Sequence, residues 1–181
     1  MKKTLAIIAA LVMALTATAA LAEEPAKPTF SGGVAFTMDM NQVLDLMKAM
    51  ENVPAPEIDD ESIRGVVTFT ELEYNNVSSY DGFTTDLKYY FVEDALVAIH
   101  YEFVKGTSYD QVKQALTGFG EAVPFDGAAL GNAKYFIDDD GDLKDCKEMI
   151  VGNGVTIVLE QDDDGDVDVT FLDLTAAYIN N

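Results

Sequence analysis

The sequence predicts an α+β domain, an antiparallel sheet with helices on one face, in the order α-β-β-β-α-β-β-β. Three observations predict it. Two helix starts carry the same capping pattern, Asp39-x-x-Gln42 and Ser108-x-x-Gln111. Strand-length stretches such as 83–91 and 96–104 alternate apolar and polar side chains. Gly152-Asn153-Gly154 and Asp162-Asp163-Asp164-Gly165 are turn sequences that separate further apolar runs. With 181 residues, 49% of them hydrophobic, the chain is long enough to bury a core, and its single Cys means that no internal disulfide helps.

Residues 1–22 read as a secretory signal peptide. Met1-Lys2-Lys3 is basic, Leu5 to Ala20 is an uncharged apolar run, and Ala20-Leu21-Ala22 is a small-x-small cleavage site. A membrane anchor is disfavoured, because the run is short for a span and no stop-transfer charges follow it. The expected location is secreted or periplasmic, extracytoplasmic in either case, with no membrane insertion after cleavage. Residues 23–35, with Pro25 and Pro28, read as a flexible leader, and 36–181 as the folded domain.

The first helix runs from Asp39 to about Met50, with Val43, Leu46, Met47 and Met50 at helical spacing. Gln42 completes a capping box with Asp39, Met38 is placed to staple onto Val43, and Pro54 forces a stop. Residues 52–62, with Pro54, Pro56 and four acids, read as a solvated loop. Three strands follow. In 65–77 the parity changes between Phe69 and Leu72, which predicts a bulge or bend. The turn 79–82 leads to 83–91, with Phe83, Leu87, Tyr89 and Phe91 on one face, and a further turn leads to 96–104, with Val97, Ile99, Tyr101 and Phe103 on one face. This alternation predicts one buried and one wet side.

Residues 107–119 form the second helix, with Ser108 as N-cap, Gln111 as its capping-box partner, an apolar stripe of Val112, Leu116 and Phe119, and Gly118 and Gly120 at the stop. After an irregular stretch, strands resume at 134–137, more weakly at 147–151, then at 155–161 and 166–172. Val155, Ile157 and Leu159 are expected to pack with Val167, Val169 and Phe171. The shared helix openings make 36–106 and 107–181 candidate halves of a tandem repeat.

Lys and Arg number 11 and Asp and Glu 32, a net charge of −21, and losing Lys2 and Lys3 with the signal peptide takes it to −23. Such a charge repels phosphate backbones and anionic membranes, which excludes nucleic acid as a partner. An unidentified protein or a cationic ligand is the expected partner.

Phe36-Thr37-Met38-Asp39-Met40-Asn41-Gln42-Val43 resembles the opening of many small exported bacterial domains, with Thr37 standing where Gly is usual. Tyr109 to Gly120 is similar to their second helix, and Tyr89-Tyr90-Phe91, Leu96 and Tyr101-Glu102-Phe103 to their central strand pair. The set includes the β-lactamase-inhibitor-protein fold and the related outer-membrane assembly lipoprotein domain. The lipid-acceptor Cys of the one and the paired Cys of the other are absent here. The resemblance implies a non-enzymatic interaction role and carries over no functional residue.

Two acid clusters place hard oxygen ligands around a Gly turn, as Ca²⁺ requires: Asp138 and Asp140 before Gly141, and Asp162 and Asp164 before Gly165. An EF-hand loop needs a bidentate Glu six residues after the Gly, where the chain has Lys147 and Phe171. Hairpin turns and a weak Ca²⁺ site are both open, and no other cofactor is expected. His100 falls on the expected wet face beside Glu102 and across from Lys88, and reads as a surface histidine, since no nucleophile motif or second His accompanies it. Cys146 reads as a buried or half-buried thiol. Tyr80, Tyr90 and Tyr109 read as exposed aromatics. The sequence thus points to an exported, non-catalytic binding module, with Asp86, Lys88, Tyr90, His100 and Glu102 as its contact surface. A Ca²⁺-loaded stability or adhesion module built on Asp138, Asp140, Asp162 and Asp164 is one alternative. A secreted hydrolase using paired carboxylates is the other, although 32 acids make no one pair distinctive.

Overall fold

The computed structural model describes residues 30–80, 83–138 and 140–175. Residues 1–22, read from the sequence as a signal peptide, residues 23–29 of the expected leader, Asp81, Gly82, Asp139 and residues 176–181 lie outside the described residues. In chain order the elements are α1 (Met40–Ala49), β1 (Glu57–Arg64), β2 (Val67–Tyr80), β3 (Phe83–Val92), β4 (Ala95–Phe103), α2 (Tyr109–Leu116), β5 (Glu121–Pro124), a 3-10 segment (Gly127–Phe136), β6 (Cys146–Gly152), β7 (Val155–Gln161) and β8 (Val167–Leu172). The strands make one antiparallel sheet in the order β1-β2-β3-β4-β8-β7-β6-β5.

The α+β class and the antiparallel sheet are as expected, but each α-helix is followed by four strands rather than three. The two unexpected strands are the two edges of the sheet. β1 occupies the stretch read as a loop. Its first five residues are exposed and mostly charged, which suits an edge that must not pair with another chain. β5 has four residues and ends on Pro124, which has no N–H to donate and is tolerated at an edge. Residues 134–137, expected as a strand, instead close the 3-10 segment, where the Ile137 N–H bonds to the Lys134 carbonyl.

One face of the sheet carries both α-helices. Val43 and Met47 of α1 and Val112 and Leu116 of α2 share a core with Leu72, Tyr89, Ile99, Tyr101, Ile157, Leu159 and Phe171. Phe171 meets Phe30, Tyr101 and Phe119 edge to face at centroid distances of 5.0, 5.6 and 5.4 Å. Such pairs contribute about 0.5–1.5 kcal/mol each beyond the area they bury. Phe30 and Val34 are buried, so packing begins ahead of residue 36. The capping box of α1 forms: the Asp39 carboxylate accepts from the Gln42 N–H at 2.9 Å, and the Gln42 side chain accepts from the Asp39 N–H at 3.0 Å. Ser108 stands at the N-cap of α2 without a side-chain capping bond, so the second box does not form.

The other face is not wet. Leu130, Ala133, Phe136 and Ile137 lie over Phe69, Tyr90, Ala98, Val158 and Leu172 in a second core. Two-sided burial explains the parity change in β2. Phe69 belongs to this second core and Leu72 to the first, and pairing with β3 runs unbroken from Thr70 to Tyr74. The register shifts lie elsewhere, in β1 between Asp59 and Ser62, in β2 between Tyr74 and Val77 and again between Ser78 and Tyr80, and in β6 between Cys146 and Glu148. Another, where Tyr90 pairs with Ala98 but Phe91 with Leu96, puts Val97 in the second core rather than beside Ile99. Asn153 and Gly154 turn between the paired Gly152 and Val155 with φ of 51° and 74°, the geometry of a tight primed turn. Ile157 and Leu159 face Phe171 and Val169 as expected.

Candidate functional site

The second face carries an unusual row. In the register, Asp86 of β3 stands opposite Glu102 of β4, Glu102 opposite Asp168 of β8, and Asp168 opposite Glu160 of β7. Four carboxylates therefore lie side by side across four adjacent strands, on the same face as Lys88 and His100. Directly opposed like charges in a sheet have their Cβ atoms about 4.5–5.5 Å apart and destabilise it. Next to the row the 3-10 cover ends and the chain overhangs the sheet. The result is a pocket of about 320 Å³. Its floor is Lys88, Tyr90, His100, Glu102, Asp168 and Glu160, and its rim is Ile137, Asp138, Asp145 and Asp162.

The floor is only partly neutralised. Lys88 is ion-paired to Glu102. Burial disfavours the Glu102 carboxylate, but the hydrogen bond from Lys88 and its charge outweigh it and hold the Glu102 pKa below the ordinary value. The same contact outweighs burial at Lys88 and keeps it charged. His100 is 6% exposed, with Nδ1 2.8 Å from the Thr170 hydroxyl and Nε2 3.7 Å from Glu102. Burial pushes its pKa down against the pull of Glu102, so the ring is neutral.

Glu160 and Asp168 are held the other way. Burial, and then the Asp168 charge, raise Glu160 to about 8. Burial, and then the Glu102 charge, raise Asp168 to about 7. The Cys146 thiol donates to Glu160 Oε1 at 3.7 Å, and burial with the Glu160 charge pushes the thiol pKa up, so Cys146 is a weak donor and not a nucleophile. Glu160 Oε2 is buried and has no hydrogen-bond partner among the described residues.

Two groups that are separate in the sequence thus meet at one pocket. Of the expected contact surface, Lys88, Tyr90, His100 and Glu102 line it. Asp86 does not, and its carboxylate accepts from the Asn76 N–H at 2.7 Å. His100 is buried, not a surface histidine: it sits on a central strand with Nδ1 against the Thr170 hydroxyl of β8. Tyr90 is 2% exposed, its ring 5.5 Å from Phe69 and 5.2 Å from Phe136, so it is a core residue rather than an exposed aromatic. Tyr109 is half-buried, with its hydroxyl donating to Glu148 at 3.4 Å. The Tyr80 side chain lies outside the described residues.

Of the four acids offered as Ca²⁺ ligands, Asp138 and Asp162 reach the pocket, while Asp140 and Asp164 are exposed and do not line it. Both turns are capped from within: the Asp138 carboxylate accepts from the Asp140 and Asp142 N–H groups, and that of Asp162 from the Asp166 N–H at 2.8 Å. Among the described residues, no three His, Cys, Asp or Glu side chains stand together so as to hold a metal ion. Sequence reasoning missed Asp145, Glu160 and Asp168. The signal that could have found the last two is their shared parity with Glu102 once β4, β8 and β7 are set side by side. Comparison with family models, curated proteins and solved structures found no match to this chain.

Proposed function

We propose that the protein is an exported, non-catalytic binding module whose partner or ligand presents a cationic group to this pocket. The row Glu102–Asp168–Glu160 carries the reading: three opposed acids, with one lysine among them, favour a positive occupant. The net charge of −21 adds a field that steers cations toward the surface. Export is supported by the composition of residues 1–22, and an interaction role by the helix openings at Phe36–Val43 and Tyr109–Gly120. The sheet order supports reading the halves as a tandem repeat, since each runs from a helix into four antiparallel strands and the last strands, β4 and β8, meet at the centre.

Titration calorimetry of the exported chain with calcium chloride, with small organic cations and with Lys- and Arg-rich peptides tests the binding reading. Heat from at least one class that is lost in Asp168→Asn supports it, and no heat from any class overturns it. Mass spectrometry of the exported protein should place its N-terminus at Glu23, and a start at Met1 removes the export reading.

Two other readings draw on the same pocket. A Ca²⁺-loaded stability or adhesion module is favoured by the meeting of Asp138 with Asp162, and the calcium titration decides it. A hydrolase is favoured by Glu160 and Asp168, opposed acids both pushed toward the protonated form as in an acid–base pair. Turnover of glycosides or esters that is lost in Glu160→Gln, with the melting temperature kept, would transfer the function there.

A further inference from the structure

We infer that the occupant of the pocket is a guanidinium group on a short alkyl stem, hydrogen-bonded between Glu160 and Asp168 and flanked by Tyr90 and Ile137. The inference rests on the pocket being a cation site and names the class of cation. Glu160 is 8% exposed and its Oε2 atom lacks a partner among the described residues, a position that an N–H of a bound cation fills once it displaces the carboxyl proton. Asp168 stands opposite it across β7 and β8, and the two acids repel each other. A planar cation with five N–H donors in a fixed fork reaches both carboxylates at once, which a compact ammonium does less well.

Size and geometry argue against a bare ion. A volume of about 320 Å³ is roughly that of ten water molecules, enough for a side chain. A divalent ion needs several oxygens converging at about 2.3–2.6 Å, and among the described residues no such group of three exists. Hydrogen bonds to two carboxylates ask for less convergence.

The protein supplies no guanidinium of its own to this spot. Arg64 is the only arginine, and it is engaged further along the same face. There it donates to Glu71 at 3.2 Å and lies over the rings of Phe69 and Tyr90 at 5.0 and 5.4 Å. This face therefore already holds one guanidinium by a carboxylate and aromatic rings, and the pocket offers a second set, two carboxylates beside Tyr90. Lys88 is committed to Glu102, and the neutral His100 ring adds no competing charge.

The test is titration calorimetry of the exported chain with Nα-acetyl-arginine amide, Nα-acetyl-lysine amide, the neutral citrulline amide and calcium chloride. Arginine amide should bind at least about tenfold more tightly than lysine amide, the loss of one charge-assisted hydrogen bond being enough for that, and citrulline amide should give no heat. Glu160→Gln and Asp168→Asn should each weaken arginine amide about tenfold or more. Asp140→Asn, exposed and outside the pocket, should leave it unchanged, and melting temperatures verify that all three variants fold. Lysine amide equal to or tighter than arginine amide, citrulline amide binding as well as either, or affinity unchanged in Glu160→Gln overturns the inference. Calcium heat with none from arginine amide overturns it while leaving the cation site standing, and no heat from any probe overturns both.

Discussion

Glu160 keeps a proton that a free glutamate gives up. Its pKa rises from 4.5 to about 8, and that of Asp168 from 3.8 to about 7. A group whose folded pKa lies above its unfolded one binds more protons in the folded state, so stability falls as pH rises between the two values. Each unit of difference is worth about 1.4 kcal/mol, so the pair costs several kcal/mol by pH 8 when no cation answers it. Glu160→Gln should therefore be nearly neutral at about pH 5 and should gain about 1–3 kcal/mol over the wild type by about pH 8. Urea unfolding at the two pH values checks this, and a gain that does not grow with pH contradicts it. His100 acts with the opposite slope in acid. Its folded pKa lies below the unfolded one, so its protonation destabilises the fold as pH drops below about 6.5. Thr37 is strained in another way, a β-branched side chain at φ 73° whose N–H bonds to the Leu96 carbonyl at 3.0 Å. The left-handed region costs a non-Gly residue about 1–2 kcal/mol, of which glycine's extra chain entropy returns about half. Thr37→Gly should thus stabilise by about 0.5–1 kcal/mol, read from the urea midpoint.

The two helices look alike at their N-termini and are built differently. Asp39 makes both bonds of its capping box, whereas Ser108 makes no side-chain capping bond. Asp39→Ala should cost about 1 kcal/mol and Ser108→Ala close to nothing, and equal losses in chemical denaturation would show that the two caps do not differ. Gly65 joins β1 to β2 at φ 59°, and a Cβ there would overlap the Tyr135 ring. Tyr135 belongs to the cover, so Gly65→Ala should lift the 3-10 segment from this corner and cost about 1–3 kcal/mol. Faster amide exchange across 127–137 together with lower stability is the expected reading, and unchanged exchange would refute the coupling. The central strands and α1 were legible because their side chains alternate or recur as the core demands: Leu87 and Tyr89 in β3, Val43 and Met47 in α1. The edge strands were not, because pattern reading detects burial. β1 shows mainly acids to solvent, and β5 is four residues long with a Pro. Of the cover, only 134–137 reads as a strand and the stretch before it as irregular, because the 3-10 segment is broken at Gly131 (φ 54°) and neither short piece repeats its period often enough to be seen.

At the scale of the whole molecule the charge of −21 is a standing repulsion. Salt from about 0.01 M to about 1 M shortens the screening length from ~30 Å to ~3 Å and should raise the melting temperature by several degrees. A melting temperature indifferent to salt would mean that the acids are already locally compensated. The sequence by itself determined the α+β class, the antiparallel pairing, the first helix with its cap, the tight turn at Asn153-Gly154 and the core facing the helices. Each of these is decided by residues a few positions apart, through backbone preference and a side-chain period. Only the tertiary structure decided that the second face is covered, that His100 and Tyr90 are buried, and that the acids of β3, β4, β7 and β8 stand in one row. Those facts depend on which strands lie side by side: β4 meets β8 across some 70 residues of chain, and no local pattern records that register.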